Sequence, residues 1–258
     1  MNRQSASSSR RPRKPRWLSR LPDESATARL FCFPYSGCGA SMYSRWPQWI
    51  GSIEVCLVQP PARQNRIAEP HYETYGALAA ALIEEMPPYL DRPFAFFGHC
   101  GGALPGVELT RQLGEAGLPL PRRVFVSSQV APHDGPYGRF LQLDEEALTG
   151  ELHKMIVSLG GVPTPELVEM SLEVLVKDVE ANKRYIVPEP FRLPAGVTAI
   201  GWSEDPEIPM DLMGGWPEAT DDCRYALLEG GHFEFLDAPA ALLAEFEHDL
   251  RTDEAVTA

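Results

Sequence analysis

No stretch of about 18 apolar residues occurs in the chain, which excludes a membrane-spanning helix. Cysteine is scarce: the five present are an odd number at unpaired spacings, so they outline neither a disulfide framework nor a metal cluster, and a reducing, cytoplasmic setting is expected. Nucleotide signatures are missing too. The glycine-bearing stretch 34–41 lacks the lysine of a phosphate-cradling loop and the Gly-x-Gly-x-x-Gly spacing of a dinucleotide site. Acids are absent from the first 20 residues, which hold seven Lys/Arg, so residues 1–25 are expected to form a basic, disordered arm. Its pair Arg10-Arg11 does not read as an export signal, because Leu21-Pro22-Asp23-Glu24-Ser25 stands where an apolar segment would follow. Removing the seven positive charges takes the net charge from −13 to −20. A body that acidic repels nucleic acid, and neither nucleic acid nor a membrane is expected as a partner.

What the chain does have is apolar content, 44% of 258 residues, enough for one large core, and 26–258 reads as a single domain. Its centre is Phe94-Ala95-Phe96-Phe97-Gly98-His99-Cys100-Gly101-Gly102-Ala103. An apolar, aromatic run suited to a buried strand meets Gly-x-Cys-x-Gly and passes into a helical pattern over 103–113. This is the layout of a nucleophile elbow with sulfur in place of oxygen. A tight turn between strand and helix lifts its side chain above the sheet, while Gly98 and Gly102 relieve the crowding of backbones. The start of the helix turns amides toward the same spot, which favours a thiolate at Cys100 and makes the N–H of Gly101 an oxyanion donor. A free cysteine is as readily a buried structural thiol, so the pentapeptide alone leaves both readings open.

Other segments tip the balance. An apolar strand over 28–33 runs into Pro34-Tyr35-Ser36-Gly37, where the N–H of Ser36 stands as the second oxyanion donor. Far downstream, a strand over 196–202 ends at Ser203-Glu204-Asp205-Pro206, the place of an orienting carboxylate. Asp205 is preferred to Glu204 and Asp211, although an Asp before Pro also forms turns on its own chemistry. Gly230-Gly231-His232-Phe233 lies between a last strand over 225–228 and a closing helix over 239–250, which lets His232 reach across to the elbow. Nucleophile, acid and histidine then follow in the α/β-hydrolase order. His71, His99, His133, His153 and His248 have no such placement.

Between these segments, helices over 42–49 and 75–89 and strands over 54–58 and 123–128 alternate, which predicts a mostly parallel sheet flanked by helices. The alternation stops between 143 and 187. Two helices, 144–159 and 166–185, meet there at Gly160-Gly161-Val162-Pro163, with Asp144 as an N-cap, and a helical lid over about 141–188 is expected.

With these segments in order, the chain resembles the type II thioesterases that accompany polyketide and nonribosomal peptide synthetases. The likeness runs from about Leu30 to Leu250 and rests on Phe33-Pro34-Tyr35-Ser36-Gly37, the Arg63 to Arg66 loop, Asp91-Arg92-Pro93-Phe94 and the elbow. It continues through Gly160-Gly161-Val162-Pro163, Val176-Lys177-Asp178, Asp205-Pro206, Trp216 and Gly230-Gly231-His232-Phe233. The resemblance implies an α/β-hydrolase fold with a helical lid and a monomer without a resident cofactor. Its substrates would be acyl groups on the phosphopantetheine arm of an acyl or peptidyl carrier protein. By position, Cys100 is nucleophile, His232 base, Asp205 orienter, and Ser36 and Gly101 the oxyanion hole, with Tyr35, Met42 and Phe233 near the acyl group. The chain departs from the family at Cys100-Gly101, where serine and a larger apolar residue are usual. A cysteine exchanges thioester for thioester, a near-balanced step that keeps the acyl group activated, so an acyltransferase or aminoacyl shuttle between carriers is the alternative.

Overall fold

The computed structural model describes residues 15–251. They hold seven strands, β1 (Ala28–Cys32), β2 (Trp49–Ile50), β3 (Ile53–Leu57), β4 (Phe94–His99), β5 (Arg123–Ser127), β6 (Gly196–Trp202) and β7 (Cys223–Leu228). These form one sheet in the order β2-β3-β1-β4-β5-β6-β7, parallel throughout except at the β2–β3 hairpin. The helices are α1 (Tyr75–Glu85), α2 (Leu104–Glu115), α3 (Glu145–Ser158), α4 (Pro165–Arg184), α5 (Trp216–Ala219) and α6 (Ala240–Leu250). None among the described residues is long and apolar enough to cross a membrane.

β4 lies mid-sheet, and its sequence shows why. Successive side chains on a strand point to opposite faces. Phe94 and Phe96 join Phe31, Leu78 and Val107 in one core, whereas Ala95 and Phe97 join Trp46, Phe125 and Phe246 in the other. Both faces are covered, so the strand carries an unbroken apolar run. The preceding Asp91-Arg92 is a fastening. Asp91 takes the Arg29 guanidinium from β1, and Arg92 donates to the carbonyls of Glu24 and Ala26 at 2.8 and 2.6 Å.

The lid forms as two helices, each with the capping its sequence provides. Asp144 accepts from the N–H of Ala147 at 2.9 Å, and Thr164 precedes Pro165 at the start of α4 and accepts from Leu167. Gly160, at φ +83°, turns the chain between them.

Two expectations are corrected. The stretch 42–49 is not a helix: a 3₁₀ turn at Ala40–Tyr43 leads into β2. Pro47 disfavours helical backbone at Trp46, whose indole N–H instead donates to the Phe235 carbonyl at 2.9 Å, while Trp49 pairs with Glu54. The arm is also shorter than 1–25. Its first 14 residues lie outside the described ones, but Trp17 and Leu18 are buried, Leu18 bridges to Val58, and the Arg66 guanidinium sits 4.1 Å over the Trp17 ring. The basic composition masked two apolar anchors.

Candidate active site

Cys100 follows directly on β4 with φ at +50°, a left-handed conformation that a residue with a side chain adopts at some cost. The flanking glycines make that turn feasible. A Cβ on Gly98 would stand 2.2 Å from the Gly102 carbonyl oxygen, and one on Gly102 would stand 2.6 Å from that of Pro34. The backbone after Cys100 is a 3₁₀ turn, Cys100–Ala103, and α2 begins only at Leu104. Helix-start N–H groups such as that of Gly101 have no intrahelical acceptor. The N–H of Ser36, on the loop after β1, likewise has no acceptor among the described residues.

His232 and Asp205 converge on this turn from the far end of the sheet. The imidazole donates from Nδ1 to Asp205 Oδ2 at 2.9 Å. Asp205 is fixed by three further donors: Ser128 Oγ at 2.6 Å on Oδ2, and the N–H groups of Glu207 and Ile208 at 2.8 and 3.2 Å on Oδ1. Burial acts to raise the Asp205 carboxyl, but the bonds from His232 and Ser128 outweigh it and hold its pKa below the usual value. Burial likewise opposes the charged imidazole. The bond to Asp205 and the neighbouring Cys100 thiol prevail, raising the His232 pKa to about 10. Nε2 has no partner in hydrogen-bonding geometry among the described residues, and Glu207 Oε2 is 3.6 Å from it. His99, beside the elbow, is fully buried, stacks on Phe235 and bonds Ser127 Oγ. Burial, then the neighbouring His232, pushes its pKa well below the ordinary range, so it stays neutral. Cys38 is pushed up to about 12 by burial and Cys32 well above its ordinary value, which makes both inert packing thiols.

Tyr35 borders the narrow space at Cys100, about 10 Å³, together with Ser36, Gly101, Phe140, Val179 and Asn182. Phe233 packs edge-on against Tyr35 at 5.8 Å. Met42 is set apart. Its sulfur accepts the Tyr35 N–H at 3.0 Å, and it lines a separate cavity of about 500 Å³ between the loop after β1 and helices α3 and α4.

One group escaped the sequence reading of the site. Asp178 of α4 is buried and takes five donors: both Nη atoms of Arg63 at 2.7 and 2.9 Å, His71 Nε2 at 2.8 Å, Tyr72 Oη at 2.7 Å and the Gly37 N–H at 2.8 Å. It ties the lid to the loop that carries Ser36. Asp178 and Arg63 both lay within stretches that carried the resemblance, but their meeting joins positions 115 residues apart and no local pattern announces it.

A family model, the thioesterase domain, matches residues 28–250. The chain belongs to the thioesterase family. The resemblance drawn from the sequence is borne out, and with it the α/β-hydrolase fold and a thioester hydrolase activity. Relatives of this thioesterase include a protein of Brevibacillus parabrevis named linear gramicidin dehydrogenase LgrE, 35% identical over 92% of this chain and 93% of its own. Thioesterase PikA5 of Streptomyces venezuelae is 30% identical over 86% of this chain and 80% of its own. Among solved structures, the type II thioesterase BorB from the borrelidin biosynthetic cluster superposes with a TM-score of 0.78 at 29% identity, over 93% of this chain and all of that one.

Proposed function

We propose that this thioesterase is of the type II kind and hydrolyses acyl thioesters on the phosphopantetheine arm of an acyl or peptidyl carrier protein, with Cys100, His232 and Asp205 as its triad. The observation that carries this is the imidazole held by Asp205 on Nδ1, with Nε2 left free beside a thiol on a left-handed elbow. The names of PikA5, a thioesterase, and of BorB, a type II thioesterase from a biosynthetic cluster, support thioester hydrolysis of the type II kind.

In the first step His232 Nε2 takes the Cys100 proton as the sulfur attacks the thioester carbonyl, and the N–H groups of Gly101 and Ser36 receive the oxyanion. Collapse breaks the bond to the pantetheine sulfur, which leaves with the proton from His232 Nε2. The neutral imidazole then takes a proton from water, whose oxygen attacks the acyl-Cys100 carbonyl. Free acid departs and the proton returns to sulfur. Asp205 keeps Nδ1–H directed at itself throughout, so Nε2 is the atom that exchanges protons. No metal enters this scheme.

The acyl-Cys100 thioester remains activated, and a second carrier thiol in place of water would make the protein an acyltransferase. Incubation with an acyl-loaded carrier and an empty acceptor carrier separates the two. The proposal predicts free acid accumulating faster than acyl-acceptor, and a fall of several orders of magnitude for Cys100→Ala. Faster loading of the acceptor would overturn hydrolysis as the function.

A further inference from the structure

The free space beside Cys100 is about 10 Å³, far too little for a thioester and its arm, so a substrate reaches the sulfur only where a larger cavity opens onto that space. The cavity of about 500 Å³ under α3 and α4 shares no lining residue with it. A second cavity, of about 470 Å³, lies between residues 136–142 and 206–207. It shares Gly138, Arg139, Leu141 and Glu207 with the space at Cys100, so the two have a common wall. Arg139 and Glu207 close that wall by an ion pair, Nε to Oε1 at 3.2 Å. The other Glu207 oxygen is 3.6 Å from His232 Nε2, which sets the pair directly over the triad. With its chain neighbours aside, a Cβ on Gly138 would meet only Leu141 Cγ within 4 Å, at 3.9 Å, so the wall is uncrowded there. The Arg139 side chain is 39% exposed, and an ion pair so open to water contributes little, which lets a bound ligand part it.

We propose that this cleft seats the pantetheine arm of the acyl donor, and that the Arg139–Glu207 pair is the gate which parts to bring the thioester to Cys100. The volume lies within the range of about 300–1,000 Å³ usual for small-molecule sites. The lining also suits the arm. The Gln142 amide is placed to bond its amides and hydroxyl, while the exposed Tyr137 ring, Leu141 and Pro206 offer apolar surface to its dimethyl carbon and methylenes. The inference rests on the proposed function, since it brings a pantetheine thioester to Cys100.

The test uses the full chain and two propionyl thioesters, of pantetheine and of methanethiol, and compares their kcat/KM. Contacts to a non-reacting arm add to kcat/KM only where the protein touches that arm, so the pantetheine thioester should be favoured by about tenfold or more. Gln142→Trp, which fills the cleft, should bring that ratio to about one whatever it does to absolute rates, whereas Met170→Trp, in the larger cavity, should leave the ratio unaltered. Arg139→Ala, and independently Arg139→Gln, should speed single-turnover acylation of Cys100 by the pantetheine thioester by about threefold or more, since the gate no longer has to be parted. A ratio near one in the unaltered protein, a ratio that survives Gln142→Trp, or one lost in Met170→Trp would overturn the cleft as the seat of the arm. Acylation no faster in either Arg139 variant would overturn the gate. Failure to hydrolyse either thioester, with no acyl adduct on Cys100, would overturn the proposed function and the cleft together.

Discussion

At the level of single residues, the protonation of His232 governs both stability and the proposed chemistry. Its folded-state pKa, about 10, lies above the ordinary 6.5, so the stabilisation from its charged form is complete below pH 6.5 and is lost as pH rises toward 10. Urea unfolding of the native chain should therefore show falling stability across that window, and His232→Gln should remove that part of the pH dependence. In the proposed mechanism the same ring supplies the proton to the departing thiol, so the alkaline fall of the acylation rate belongs near pH 10. Asp205→Asn removes the strongest support of the charged ring. Its alkaline limb should move to lower pH and its kcat should drop by roughly 10³–10⁴, as expected where the orienting carboxylate of a triad is lost. An unmoved limb would mean that Asp205 does not hold the imidazole. Much of this was legible in the sequence, because Gly-x-Cys-x-Gly, Asp205-Pro206 and Gly230-Gly231-His232 each state a backbone requirement locally. The wall that Val179 and Asn182 of α4 give the space at Cys100 was not legible, since it joins the elbow to residues far downstream.

Elements carry the coupling between α4 and the loop that bears Ser36. Asp178 on α4 accepts the Gly37 N–H one residue beyond Ser36 and neutralises buried Arg63, and these contacts hold its carboxyl well below the ordinary carboxylate range against the opposing effect of burial. Asp178→Ala should lower the unfolding free energy by about 3–5 kcal/mol, because it leaves a buried guanidinium unpaired. It should also depress kcat more than it raises KM, since the loop bearing Ser36 loses its tether. Denaturant titration and steady-state kinetics with an acyl-pantetheine check the two effects, and a destabilised variant with unchanged kcat would assign Asp178 to stability alone. Strands and long helices were readable from periodicity. The segment 42–49 was not, because its apolar residues mimic a helical stripe while serving Trp46 and Trp49, which face a loop and a partner strand.

Across the whole molecule, the carboxyl ends of β4 and β6 and the turn after β7 bring Cys100, Asp205 and His232 to one side of the sheet, where residues 138–141 and α4 border Cys100. Cys100 is only 8% exposed, and Arg139 ties the covering segment down through Glu151 of α3 at 2.6 Å and Glu207 at 3.2 Å. A carrier-borne chain needs that cover displaced. Arg139→Ala should therefore speed alkylation of Cys100 by iodoacetamide, mapped by peptide mass to separate it from the half-buried Cys223, and an unchanged rate would show that these ion pairs do not limit access. The docked stretch from Trp17 is likewise part of the body. Removing residues 1–20 should lower the melting temperature, whereas removing 1–14 leaves every contact described for Trp17 and Leu18 in place. Neither feature was legible beforehand, because both depend on pairings between distant segments. Covalent catalysis at Cys100 is tested by the intact mass of the protein during turnover of an acyl-pantetheine. The account predicts a species heavier by one acyl group, located on Cys100 and absent from Cys100→Ala. Undiminished turnover by Cys100→Ala, with no acylated protein at any time, would contradict covalent catalysis at this elbow.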